Sequence, residues 1–257
     1  MPRSLGTSLR RTQRSARAES GDPSSDAATL TLLQGFRLQA GSHSVALPLG
    51  SQRLVAFLAV HRRPLQRLYV AGSLWLDCDE EHANARLRTA LWRLRQLGFP
   101  LVDSTRNQLS LAPSVTVDLH ESNRRAAQVL RHQGSSSPHR QDSLLLDGDL
   151  LSDWYDDWVM LERERHRQLR LLALEILCKD LATSGSYALA IEAGLACVAA
   201  EPLRESGHRA LINAHRAEGN VGEAVRQYQL YRRLVGEQLG LEPSPAMCEL
   251  VESLPVQ

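Results

Sequence analysis

The feature that most limits the fold is a change of hydrophobic period near Val117. Before it, short alternating runs are interleaved with helical stripes; after it, nearly every apolar pattern repeats at helical spacing. Alternation puts every second side chain on one face of a strand, whereas spacing at i, i+3, i+4 and i+7 makes one face of a helix. The chain is therefore expected to fold as two units, an α+β part followed by an all-α part.

The first part supplies its elements in a definite order. Thr29–Leu33 and Phe36–Leu38 alternate as strands, Ala40-Gly41-Ser42-His43 supplies a turn, and Val45-Ala46-Leu47 adds a further strand. Pro48 breaks that strand and Ser51 is expected to cap a helix carrying Leu54, Phe57, Leu58 and His61 on one stripe. Pro64 stops it, and a short helix is expected at Tyr69–Trp75. Asp77 to Glu81 then offers a cap and first-turn acids for a third helix, which reads ANARLRTALWRLRQL over 83–97. Leu87, Ala90, Leu91, Leu94 and Leu97 form its apolar stripe, and Arg86, Arg88, Thr89, Trp92, Arg93 and Arg95 lie off it. Gly98 and Pro100 end it. Two more strands, Leu101–Ser104 and Leu109–Ala112, flank a basic, polar tip at Thr105-Arg106-Asn107-Gln108. Strands, three helices and a hairpin in this order make a winged helix-turn-helix, whose third helix offers its polar face to a major groove.

The second part contains helices expected at Asp118–His132 and from about 155 onward, separated by a Gly134–Pro138 linker and a short apolar segment at Leu144–Asp149. Gly185 and Gly219 are 34 residues apart, as are Ala190 and Ala224, and Leu177 and Leu211. Helix pairs with that period, a Gly at the turn and a small residue in the second helix resemble tetratricopeptide repeats. Pro243 and Pro245 halt the last long helix before a short one at 246–254.

Charge follows the same division. The net charge of the 257 residues is only +1, but residues 29–113 carry ten Arg against five acids, and residues 114–257 fifteen basic against twenty-one acidic groups. A basic unit joined to an acidic one suits one part that meets a polyanion and another that does not. Residues 1–28, rich in Arg, Ser, Gly and Pro, are expected to be a disordered arm. The preference for Arg over Lys, with only Lys179 among thirty basic groups, reflects base composition of the coding sequence rather than a binding site.

Other chemistries find no motif. There is no GxxxxGK[ST], no GxGxxG and no GxSxG, and His120-Glu121 lacks the second His of a zinc protease because Arg124 occupies that position. Catalysis, a bound metal and a cofactor are not expected, and the acids Asp147, Asp149, Asp153, Asp156 and Asp157 are taken as solvated loop groups. The cysteines Cys78, Cys178, Cys197 and Cys248 have neither disulfide-scaffold nor CxxC spacing, so reduced thiols in a cytoplasmic protein are expected. No apolar stretch approaches the ~20 residues of a membrane span.

Two stretches carry a family resemblance. Residues 32–98 include LLQGFRLQAG, ALPLGSQRLVAFLAVHRRP and YVAGSLWLDCDEEHANARLRTALWRLRQLG; residues 156–185 and 201–245 run from DDWVMLERERHRQLRLLALEILCKDLATSG to the ending LGLEPSP. Together they resemble the Streptomyces antibiotic regulatory proteins, which join an OmpR-type winged helix (here 29–113) to a bacterial transcriptional activator domain (here 114–257). The chain is expected to correspond to the small members, without the nucleotide-binding and sensor extensions of the large ones. The resemblance implies a pathway-specific activator of a secondary-metabolite gene cluster that binds direct repeats in double-stranded promoter DNA. It implies that Arg88, Thr89, Trp92 and Arg93 lie nearest the bases, Arg86 and Arg95 on phosphates, and Arg106 and Asn107 in the wing. Arg53, Arg62 and Arg63 are backbone candidates. Trp92 departs from the small or basic residue expected there; contact with a thymine methyl or sugar and cover for the domain interface both suit it. One winged helix buries too little surface to select a promoter, so a homodimer on adjacent half-sites is expected, with the acidic half contacting the neighbouring protomer, RNA polymerase, or both. The alternative is a protein-interaction module in which the helical half acts and DNA binding is vestigial.

Overall fold

The computed structural model describes residues 28–131 and 148–253. All of the expected arm but Ala28, the linker at 134–138 and most of the apolar segment at 144–149 lie outside the described residues.

The chain opens with β1 (Ala28–Thr31), β2 (Arg37–Ala40) and β3 (His43–Ser44), an antiparallel meander that extends to a fourth strand, β7 (Thr116–Val117), lying parallel to β1. This sheet thus draws one strand from beyond residue 113. α1 (Leu49–His61) follows, with Leu54, Phe57 and Leu58 buried. Ser51, expected to cap α1, instead lies buried in its first turn; Pro48 is the N-cap, its extended backbone at φ −61° feeding directly into the helix. A strand with no sequence signal, β4 (Leu65–Gln66), comes next, and α2 (Arg67–Leu74) begins two residues before the expected start. α3 (Glu80–Arg95), β5 (Val102–Ser104) and β6 (Gln108–Leu111) complete the winged helix, whose second sheet has the order β4-β6-β5.

The helical part comprises α4 (Asp118–Arg131), α5 (Asp157–Thr183), α6 (Tyr187–Ala200), α7 (Glu205–Glu218), α8 (Val221–Leu239) and α9 (Pro245–Glu252). The repeat positions behave as the period requires. Gly185 and Gly219 take φ of +79° and +89° at the α5–α6 and α7–α8 turns, where an L side chain would be strained. Ala190 and Ala224 are fully buried, as are Leu177 and Leu211. Small residues let α5, α6 and α7 cross closely: a Cβ on Gly194 would stand 3.0 Å from Leu211 Cδ1 and 3.3 Å from the Cys178 sulfur. All four cysteines are free. The result is a winged helix-turn-helix followed by a tetratricopeptide-like helical domain.

The two parts share a core. Leu150, Leu151, Trp154 and Val159 are buried in the same apolar cluster as β1 and α1. The segment 149–154 docks along the strand end: Gln34 N–H donates to the Asp149 carbonyl and Leu151 N–H to that of Leu32, both at 2.8 Å. Asp118, opening α4, accepts from the N–H groups of Leu32 and Leu33 at 2.8 and 3.0 Å. Trp154 stacks on Phe36 with ring centroids 6.0 Å apart, and Trp158 meets Phe57 edge-on at 5.1 Å. Arg163 ties this segment to α5, donating to the carbonyls of Leu150 (2.7 Å), Trp154 (2.8 Å) and Leu151.

Candidate nucleic-acid interface

α3 is built as its periodicity demands. Asp79 caps it, accepting from the His82 N–H at 2.9 Å, and Glu80 and Glu81 complement the positive end of the helix dipole. Ala83, Leu87, Ala90, Leu91 and Leu94 are buried. Burying a leucine side chain contributes roughly 1.5–3 kcal/mol, so Leu87, Leu91 and Leu94 fix the helix's rotation about its axis.

That rotation presents two rows outward. Arg88, Trp92 and Arg95, at i, i+4 and i+7, are all exposed, as are Arg86, Thr89 and Arg93 in the adjacent row. The second row faces a shallow groove of about 310 Å³ between α3 and the start of α1, floored by Gly50, Trp75 and Ala90. Trp92 is 61% exposed, so it covers no interface among the described residues. The Thr89 hydroxyl donates back to the Ala85 carbonyl at 3.0 Å, which leaves its oxygen lone pairs outward as acceptors.

The arginines differ in what holds them. Arg86 forms an ion pair with Asp77 at 2.9 Å, and its guanidinium holds the Asp77 carboxyl below the usual range; Arg53 lies near enough to pull the same way. Arg88, Arg93, Arg95 and Arg106 have no carboxylate partner among the described residues. Arg53 is half-buried and engaged by Asp156, so it stands at the joint between the two parts. Arg62 and Arg63, past the far end of α1, are exposed and line a groove with Ser110–Pro113 and His120. Asp149 and Asp156, two of the acids taken as solvated, bond Arg170 and Arg53 instead, and no group of three or more metal-ligating side chains occurs among the described residues.

The wing is braced by a residue that sequence reading missed. β4 pairs with β6 in the register Leu65↔Leu109, which carries Arg67 to the hairpin tip. Its guanidinium donates to Ser104 Oγ at 2.9 Å and its N–H to the Asn107 carbonyl, also at 2.9 Å. Thr105 Oγ1 accepts from the Gln108 N–H at 3.0 Å, closing the turn and leaving Arg106 and Asn107 exposed. The only available signal was an Arg before an apolar helix, and a two-residue strand carries too little pattern to reveal the pairing.

Comparison with known proteins bears on the helical half first. Residues 114–254 match the model of the bacterial transcriptional activator domain. The chain belongs to that family. Regulatory protein AfsR of Streptomyces coelicolor is 28% identical over 223 residues, covering 81% of this chain and 22% of that protein. AfsR of Streptomyces griseus is 28% identical over 240 residues, covering 89% of this chain and 24% of that protein. The chain thus spans less than a quarter of the length of these relatives. A solved structure, "Mycobacterium tuberculosis EmbR in complex with low affinity phosphopeptide", superposes with a TM-score of 0.70 at 20% identity, covering 90% of this chain and 66% of that one. This likeness extends the shared fold across both halves. The chain's architecture is that of the Streptomyces antibiotic regulatory proteins, a family of transcriptional regulators rather than enzymes. No helix among the described residues is long and apolar enough to cross a membrane.

Proposed function

We propose that this regulator is a sequence-specific transcriptional activator that inserts α3 into the major groove of promoter DNA. The observation that carries the reading is the exposed guanidinium groups of Arg88, Arg93 and Arg95 on α3, which have no carboxylate partner among the described residues and are backed by buried leucines. Arg88 and Arg93 would form bidentate hydrogen bonds to guanine O6 and N7, which supply discrimination. Trp92 would lie against a thymine methyl or a sugar. Arg95 and Arg106 would hold phosphates, where counterion release supplies affinity, and Asn107 would sit with Arg106 in the wing. Arg86 is shared with Asp77 and would contribute less. Arg62 and Arg63 would add general positive potential away from the groove, while Arg53 serves the joint.

Two protomers on direct repeats would supply the selectivity one module lacks. The helical half, acidic and built of stacked helix pairs, would contact the neighbouring protomer and RNA polymerase in the cytoplasm. The family resemblance favours a gene cluster for a secondary metabolite as the target. The acidic repeat half also favours a second reading, a protein-interaction module with vestigial DNA binding, which predicts no preference for any promoter.

The test is binding to a labelled duplex repeat selected from random sequence. Arg88→Ala and Arg93→Ala should each weaken binding by ~1–3 kcal/mol, with a shallower salt dependence. Variants that bind like the parent would remove α3 from the reading role. Discrete peaks in chromatin immunoprecipitation would eliminate the interaction-module reading.

A further inference from the structure

The second helix begins without a cap of its own. Gln66 stands at the N-cap of α2 with no side-chain hydrogen bond, and the first turn holds no acid, so the positive end of the helix is left for another group. The wing supplies one. Arg67, the first residue of α2, donates its backbone N–H to the Asn107 carbonyl at 2.9 Å. β4 makes this contact possible by pairing with β6 through Leu65↔Leu109 and Gln66↔Gln108, with both leucines buried.

The Arg67 side chain adds a second hold on the same hairpin. Its Nη1 donates to Ser104 Oγ at 2.9 Å and lies 3.4 Å from the Thr105 carbonyl, on the side where the chain enters the turn. The backbone bond takes Asn107, where the chain leaves it, so the turn is gripped on both sides of Arg106. Arg67 is half-buried and has no carboxylate partner among the described residues, so these donors go to uncharged acceptors of the wing. Arg106 itself is exposed, and its side chain has no hydrogen-bond partner among the described residues. A long side chain with that freedom is aimed only by the backbone that carries it.

We propose that Arg67 is a positioning residue for DNA binding, locking the wing tip to the start of α2 so that Arg106 meets the phosphates at a fixed distance from α3. α2 packs against α3, so this one residue ties the wing to the helix-turn-helix and both meet the duplex as a single surface. Ordering the wing before DNA arrives spares that cost at binding. The effect on affinity rests on the function proposed above; the hold itself is measured without DNA. A direct phosphate contact by Arg67 is the competing role, and it is disfavoured because Nη1 is already given to the wing.

The test uses Arg67→Met, which keeps the aliphatic stem and the backbone N–H but removes the guanidinium, and Ser104→Ala, which removes one acceptor from the wing side. In the full chain without DNA, amide hydrogen exchange over residues 105–108 should quicken about tenfold in Arg67→Met and by less in Ser104→Ala, with the melting temperature hardly moved. On the duplex selected as above, Arg67→Met should weaken binding about fivefold and make the slope of log K against log salt shallower by about 1, as expected when the Arg106 phosphate contact is lost. In an Arg106→Ala background the same substitution should change neither quantity. Losses that simply add in the double variant would make Arg67 a DNA contact in its own right and overturn the positioning role. Unchanged hydrogen exchange in Arg67→Met overturns it as well, whatever the DNA titrations show. A parent chain that binds no duplex would sink the function proposed above, and with it any role for Arg67 on DNA, even where exchange over 105–108 quickens.

Discussion

Arg53 and Asp156, 103 residues apart in sequence, form an ion pair that joins α1 to the start of α5. Asp156 occupies the N-cap of α5, where a carboxylate ordinarily accepts from the helix's own free N–H groups. Here it makes no such bond and engages the Arg53 guanidinium instead. The pair stands beside the Phe57–Trp158 contact, and Arg53 in turn faces Asp77, the partner of Arg86. Alternating charges therefore run from the helical domain to the first half of α3.

Breaking the pair should loosen the joint. With both side chains about one-quarter exposed or less, the interaction lies between a surface and a buried ion pair. Arg53→Ala and Asp156→Ala should each lower stability by ~1–3 kcal/mol, with a coupling energy of about 1 kcal/mol in the double-mutant cycle. Urea denaturation of the four proteins measures it; strictly additive losses would show that the two residues do not interact.

Freeing Arg86 should strengthen DNA binding. Asp77→Asn removes the carboxylate that shares this guanidinium, adding one available cation to α3. On the proposed function, affinity for duplex DNA should rise and the slope of log K against log salt should steepen by about 1. An unchanged slope in anisotropy titrations would mean that Arg86 does not reach a phosphate.

Acid should destabilise the fold before the carboxylates titrate. Burial lowers His166 to about 4 from an ordinary 6.5, and lowers His120 and His208 as well. Between these values the unfolded chain binds more protons, so the stability contribution is complete above about pH 6.5 and is lost as pH falls towards 4. For His166 the loss should reach about 2 kcal/mol at pH 5. The paired carboxylates Asp77, Asp79, Glu121 and Glu164 are held below their usual range, so their contribution is lost only at lower pH. Urea midpoints at pH 7 and 5 provide the check, and His166→Gln should flatten the difference.

Two glycines in the helical domain should respond oppositely to a methyl group. Gly194→Ala drives a Cβ into Leu211 and Cys178 at the α5–α6–α7 crossing and should cost ~1–3 kcal/mol. Gly222→Ala meets nothing within 4 Å in α8 and should stabilise by ~0.4–1 kcal/mol through reduced freedom of the unfolded chain. Melting temperatures that shift in the same direction for both would contradict the packing described.

Much of this molecule is legible without coordinates wherever the signal is local. The leucines at 87, 91 and 94 must share one stripe of any helix spanning them, with the arginines at 88, 93 and 95 off it on its two flanks, because 3.6 residues per turn settles that. The turns at Gly185 and Gly219 and the buried Ala190 and Ala224 follow from one 34-residue period in the same way. What tertiary structure alone decided is which charges remain available. Arg53 and Arg88 look alike in sequence, yet one is held by Asp156 and the other is exposed with no carboxylate partner among the described residues. Arg67 reaches the wing only because a two-residue strand pairs with β6. Local periodicity encodes the side of an element on which a group lies; the distance between groups on separate elements arises only when the shared core brings those elements together.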